Sequence, residues 1–460
     1  MTEQSPSAEN KISAVEILVN KYPFIAGLQA YEYLRCDITA KKEAFLGDSA
    51  FELNIIYESL NMPSITSLKE PMLQGLQTML AGEKSLKSES LYECLEYRYS
   101  ELFLLDMARI MNGPEYEDVQ RDEAKVWFKK ASEGLYGKPN TAVFTGLSNE
   151  KIWMALRENG SDPIKNQLRD DLYGLLGSTA ASTYYRYPPQ PETVSRISRL
   201  TLQKFNSIID HIEEDHTYTV EEMRQALQIS LDRLGASYLG WRAEVVPNSS
   251  ALSTIAEKKL VEVGASRKEI TGNILKRKVI HEIGVHALRS INALKSGWLS
   301  AAYGQKDYLP FEEGLATAME DALGGQFKDH GIDYYLIAGL AYGLDDHSPR
   351  NMREVFEIMW RVKALDTKKS LENDSIKKLQ SEAFDQCFRM FRGTDTKTKG
   401  LVYLKDLAYF NGQELAWSIL SQIYTEEDFN LLFAGKLDLT KPQQASIARE
   451  INDVNSSNHH

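Results

Sequence analysis

Residues 281–286 read His-Glu-Ile-Gly-Val-His, two histidines five positions apart with a glutamate beside the first. At about 100° per residue, a regular α-helix sets side chains five apart roughly 140° from each other around its axis, too far round to share one ion. A chain that uses both histidines together must therefore distort the helix. One extra residue taken up as a π-type bulge brings i and i+5 onto one face, and such bulges concentrate at functional sites. Gly284, between the histidines, eases that distortion at some cost in helix propensity.

The residue types in this string suit zinc. A catalytic zinc site keeps three protein ligands and an open position for a water, whose pKa falls to roughly 7. His281 and His286 supply two ligands, and Glu282 is placed to take a proton from that water during attack on a carbonyl. The third ligand is expected from Glu312 or Glu313. Pro310 can open a helix there, and Phe311, Leu315, Met319 and Leu323 form a stripe that would bury it against the histidine helix. Glu313 is chosen as ligand and Glu312 as a hydrogen-bond partner of a ligating histidine. One Zn2+ per chain is expected.

Around this string the chain divides by pattern. A polar tail over 1–11 precedes a helical N-terminal region over 12–190, where segments such as Leu91–Met111 and Arg121–Leu135 repeat apolar residues every three or four positions. No catalytic cluster is visible there. The proline-rich run at 184–191 breaks helical continuity and marks the boundary to a catalytic domain over 191–440, followed by a tail over 441–460. Helices are expected at Glu192–Glu214 and Val220–Leu234, and short strands at Tyr238–Val246 and Lys259–Val263, forming a small antiparallel sheet. The fold class is thus α+β, predominantly helical.

Composition narrows the function. A formal charge of −12 argues against a general nucleic-acid binder or a protein coating anionic membranes. Cys36, Cys94 and Cys387 lack disulfide or metal spacing, the N-terminus lacks the features of a signal peptide, and no apolar run is long enough to span a bilayer. A cytoplasmic protein without nucleic-acid or membrane partners is expected. His211, His216, His330 and His347 have no partner at ligand spacing, and Asp345-Asp346-His347-Ser348-Pro349 has loop composition. His459 and His460 are set aside as a possible tag remnant.

In HEIGVHALR at 281–289, FEEGLA at 311–316, REVFE at 353–357, and FRMFRG followed by LKDLAYFNG between Phe388 and Gly412, the sequence resembles the microtubule-associated tyrosine carboxypeptidase family, which includes bacterial members with a Gln-Glu-Gly-Leu-Pro motif. The order and spacing of these pieces carry the resemblance, which spans about 237–412 and, more weakly, the helical N-terminal half. It implies a zincin-like metallopeptidase domain that removes a C-terminal aromatic residue, tyrosine or phenylalanine, from a peptide or protein tail, possibly tubulin-like. By motif, His281, His286 and Glu313 become ligands and Glu282 the general base. The chain departs from the bacterial motif at Glu312 and Ala316, neither of which removes a ligand. Dipeptidyl-peptidase III enzymes share the five-residue spacing and a Glu-Glu pair. An aminopeptidase or endopeptidase with the same site, or a catalytically silent zinc-binding regulator, are the alternatives.

A carboxypeptidase must hold the substrate's terminal carboxylate, a task suited to arginine's planar fork. Arg289, Arg389, Arg392 and Lys405 are the candidates, Arg389 and Arg392 sharing a helix face. Tyr403 and Tyr409 could line an aromatic pocket or stabilise an oxyanion, with core packing the commoner role.

Overall fold

The computed structural model describes residues 30–457 apart from breaks at 48–52, 54, 62, 81–84, 158–161, 178–181, 183, 185, 187, 248 and 369. The expected tail over 1–11, residues 12–29, and His459 and His460 lie outside the described residues. The fold is predominantly helical with two small sheets, an α+β architecture.

Local sequence explains where the helices start. Ser85 and Ser88 form a reciprocal cap that opens Leu86–Asn112, and Thr219 and Glu222 do the same for Val220–Arg233. Pro191 sits at the first position of Pro191–Ile209, where its missing N–H costs nothing.

The strands are β1 (Thr217–Tyr218), β2 (Arg242–Val246), β3 (Leu252–Ile255), β4 (Leu260–Gly264) and β5 (Ile270–Thr271). β1 pairs antiparallel with β5. The larger sheet corrects the antiparallel expectation: it is mixed, in the order β2-β4-β3, with β2 parallel to β4 and β3 antiparallel to it. The reason is the unforeseen β3. It folds back on β4 through a tight turn at Ala256–Lys258, closed by Lys259 in the left-handed region at φ 50°, and so occupies the edge that a β2–β4 hairpin would have left open. All five residues of β4 are buried, as suits a central strand.

Two apolar clusters form the core. One joins Val194–Ile291 to Phe311–Ala322 and Ala416–Phe433. The other joins Ala30–Leu172 to Ala293–Tyr308, to Ile332–Phe410 and to Ile447, Ala448 and Ile451. The N-terminal region therefore shares its core with helices from the second half of the chain. The stretch expected as a tail over 441–460 is a helix over Pro442–Ser457, held by those last three buried residues.

Candidate metal centre

The histidine helix runs through Gly272–Val279, a π-helical turn over Ile280–Ala287, and Leu288–Lys295. The wider turn does what the spacing demands: the rings of His281 and His286 lie 4.9 Å apart. Every residue of the turn is buried, which offsets the poorer hydrogen bonding of a π segment.

Facing it is the helix Tyr308–Leu323, with Pro310 in its first turn. A third helix, Leu407–Leu420, crosses this one at two glycines. A Cβ on Gly314 would lie 1.9 Å from the Gly412 carbonyl oxygen, and one on Gly412 1.9 Å from that of Pro310. The backbones can touch only because both side chains are absent. That crossing brings the Glu312-Glu313 turn beside Lys405 and Tyr409.

His281, His286 and Glu313 present one ligand atom each within 4.8 Å of one another. Both imidazoles are held from behind. Glu312 Oε1 lies 2.8 Å from His286 Nδ1, and Glu320 Oε1 lies 2.5 Å from His281 Nδ1. The His286 contact is a hydrogen bond, whereas His281 Nδ1 lies close to Glu320 without hydrogen-bond alignment; a carboxylate behind each Nδ1 favours the tautomer that leaves Nε2 free for a metal. Two imidazole nitrogens and a carboxylate oxygen, with carboxylates behind the rings, fit zinc.

The carboxylates behind the rings are anchored in turn. Lys436 donates to Glu312 Oε1 at 2.7 Å and Arg289 to Glu312 Oε2 at 2.9 Å. Burial would raise the Glu312 carboxyl, yet Lys436, Arg289 and His286 reverse the sign and hold it far below the usual carboxylate range. Burial likewise opposes, and His281 and Lys278 overcome, the shift that keeps Glu320 low. Glu282 is oriented from the sheet: Thr254 Oγ1 on β3 lies 2.9 Å from Glu282 Oε2. The other oxygen, Oε1, is 4.0 Å from His281 Nε2, on the ligand side of the ring.

These groups open onto a cavity of about 260 Å³. Arg389, Arg392, Lys405 and Tyr409 line it together with Leu252, Ser253 and Thr254 of β3; Arg289 does not. Arg289, a candidate for the substrate carboxylate, is fully buried with its guanidinium on Glu312 and the Leu437 carbonyl, so it braces the histidine network. Tyr403 is also fully buried, packed edge-on against Tyr136, and does not reach the cavity.

The cations in the cavity are unequally satisfied. Arg389 grips Asp406 with two bonds, of 2.6 and 2.9 Å, and donates to the Tyr409 hydroxyl at 3.1 Å. Arg392 only approaches Asp406, at 3.8 Å, and its Nε is buried without a partner. Lys405 lies over the Tyr31 ring at 4.5 Å. Burial lowers the Lys405 ammonium, and Asp406 and Glu313 offset only part of that. Burial raises Tyr409, and so does the charge of Glu313, which keeps its hydroxyl protonated.

Sequence reasoning missed Glu320, Thr254, Lys436, Asp406, Tyr31 and Arg35. The last two line the cavity from the N-terminal region. The remaining histidines stand apart from the site, His330 against Asp321 at 2.9 Å and His211 on the Ala226 carbonyl at 3.1 Å. Asp345 is tied to Arg350 and the Gly177 N–H, as a loop residue would be. Comparison of the chain with family models, curated proteins and solved structures finds no match.

Proposed function

We propose that the chain is a zincin-like zinc metallocarboxypeptidase that releases a C-terminal aromatic residue, tyrosine or phenylalanine, from a peptide or protein tail. The observation that carries this reading is the juxtaposition of His281, His286 and Glu313 with a cavity also lined by Arg392 and Lys405, which are short of anions. Zinc bound by His281, His286 and Glu313 would polarise the scissile carbonyl and acidify water.

The chain's own groups supply the rest. Glu282, held by Thr254, accepts a proton from the attacking water and returns it to the departing amine. The Tyr409 hydroxyl accepts from Arg389, so its own proton is free for an oxygen that gains charge as the carbonyl becomes tetrahedral. Lys405 and Arg392 hold the terminal carboxylate, which completes their pairing. A volume of about 260 Å³ is below the usual range for drug-sized ligands, roughly 300–1,000 Å³, and suits one residue better than a run of several. The cysteines Cys36, Cys94 and Cys387 are unpaired, as a reducing cytoplasmic setting favours. No described helix is long and apolar enough to cross a membrane.

The reading is tested with zinc-loaded protein and peptides that differ only at their C-terminus, free or amidated, read by mass spectrometry. Release of a single Tyr or Phe from the free peptide alone is expected, because a cationic pocket left without its anion gives up the charge-assisted bonds that position the substrate. Equal cleavage of both peptides, or cleavage from the N-terminus, would overturn it.

A further inference from the structure

One wall of the cavity comes from the start of the described chain. Ala30–Tyr33 is a single helical turn, and the residues after it run on to Cys36. On one side Arg35 reaches Glu262 of β4 at 3.1 Å while also pairing with Glu32 at 2.6 Å. On the other, Leu34 is fully buried against Gly393, the neighbour of Arg392. Gly393 has φ +80°, and a Cβ there would stand 2.9 Å from Leu34 Cδ1. The Tyr31 ring, between these anchors, packs under the Lys405 ammonium. Residues 31–35 thus bridge the sheet that carries Thr254 and the cationic wall. Arg35 already faces two carboxylates, which makes it a tether more than a receptor for another anion.

We propose that this segment closes the cavity beyond the substrate's terminal carboxylate, and that Tyr31 limits the cleft to one residue past the scissile bond. The inference rests on the carboxypeptidase reading and names what makes that cleft blind. Lys405 lines the same cavity as Glu313, and its ammonium lies 4.5 Å from the centre of the Tyr31 ring. A carboxylate that reaches Lys405 has therefore arrived at the ring. A chain continuing past that point must displace Tyr31 from a cation–π contact, with the backbone pinned by Leu34 and Arg35 on the same short segment. Exclusion of longer products is then a steric device, added to the attraction for the terminal charge.

The test compares zinc-loaded wild type, Tyr31→Ala, Tyr31→Phe and Arg35→Gln on two peptides, one ending in Tyr and one extended by a further residue. The readout is the ratio of dipeptide to single-residue product, by mass spectrometry. Wild type should release single residues. Tyr31→Ala should raise the dipeptide share about tenfold or more, and Tyr31→Phe, which keeps the ring, should return it to the wild-type value. Arg35→Gln keeps the ring but removes the tether and the guanidinium that lies 5.8 Å from the ring's centre, and should shift the ratio in the same direction, which keeps the inference open to refutation if Tyr31→Ala does not fold. An unchanged ratio in the Ala and Gln variants, with single-residue trimming by wild type, overturns the role of the segment alone. Absence of cleavage by wild type overturns the carboxypeptidase reading and this inference with it.

Discussion

The two sides of the cavity are both charged, with Lys405 buried and Arg389 and Arg392 part-exposed on the cationic side, and they are wired differently. On the histidine side the carboxylates have their complements: Glu312 takes His286, Arg289 and Lys436, Glu320 takes His281 and Lys278, and Glu282 takes Thr254, although Arg289 Nε and His281 Nδ1 are buried without a hydrogen bond. On the cationic side Arg389, Arg392 and Lys405 share one carboxylate, Asp406, and Arg389 holds it almost alone. A network in which every carboxylate is paired keeps its geometry without a ligand better than one in which three cations share a carboxylate, and the latter is stabilised when an anion arrives. The first arrangement suits chemistry, which needs fixed groups. The second suits recognition of a carboxylate.

The largest effect should come from Glu282, the group on the histidine side proposed as the base. Glu282→Gln keeps the Thr254 contact and nearly the same shape but cannot accept a proton. Hydrolysis should fall by about a hundredfold or more with zinc content unchanged. His286→Ala, in contrast, should lose the metal. Zinc analysis beside peptide turnover separates the two, and wild-type turnover by the Gln variant would assign the base elsewhere.

Next in size is the loss of a brace behind the histidines. Lys436→Met takes away one of three donors to Glu312 and leaves a buried carboxylate with Arg289 and His286. Breaking a buried ion pair from one side costs about 3–5 kcal/mol, and the surviving partners should keep this case near about 3. Urea unfolding of the metal-free protein measures it. A change below about 1 kcal/mol would mean that Lys436 is not part of the paired network.

The histidine side was largely legible in the sequence because its parts lie in two contiguous strings. The arithmetic of a five-residue spacing required the π turn at Ile280–Ala287, and Glu312 and Glu313 follow on the next helix but one. Glu320 could have been found as the residue seven after Glu313, on the same helix face, although nothing in that period says it meets His281. Thr254, Lys436 and Tyr31 arrive from segments that only tertiary packing brings together. β3 escaped notice for a related reason: Ser253 and Thr254 weaken its apolar pattern, and Thr254 is polar because it serves Glu282. Arg289 shows the opposite failure. Its position three residues after His286 placed it near the metal centre, but a charge's neighbourhood does not reveal which carboxylate has already claimed it.

The smallest effect on folding, and the sharpest probe of the contrast between the two sides, should come from Lys405→Met. The substitution keeps most of the side-chain volume and removes an ammonium whose charge burial disfavours and whose neighbours Asp406 and Glu313 compensate only in part. Asp406 loses little, since Arg389 supplies both of its short contacts. Replacing an incompletely paired buried charge by an apolar side chain of similar size is often neutral or stabilising, so unfolding free energy should change by less than about 1 kcal/mol or rise. Substrate handling should move the other way. A terminal carboxylate that loses one of two cationic partners, the buried one, should bind more weakly by about 2 kcal/mol, read as KM up roughly thirtyfold with kcat little altered, because the carboxylate is held alike in the ground and transition states. If Lys405→Met were instead as destabilising as Lys436→Met, with KM unchanged, the cationic side would be a second structural network and the division between the two sides would not hold.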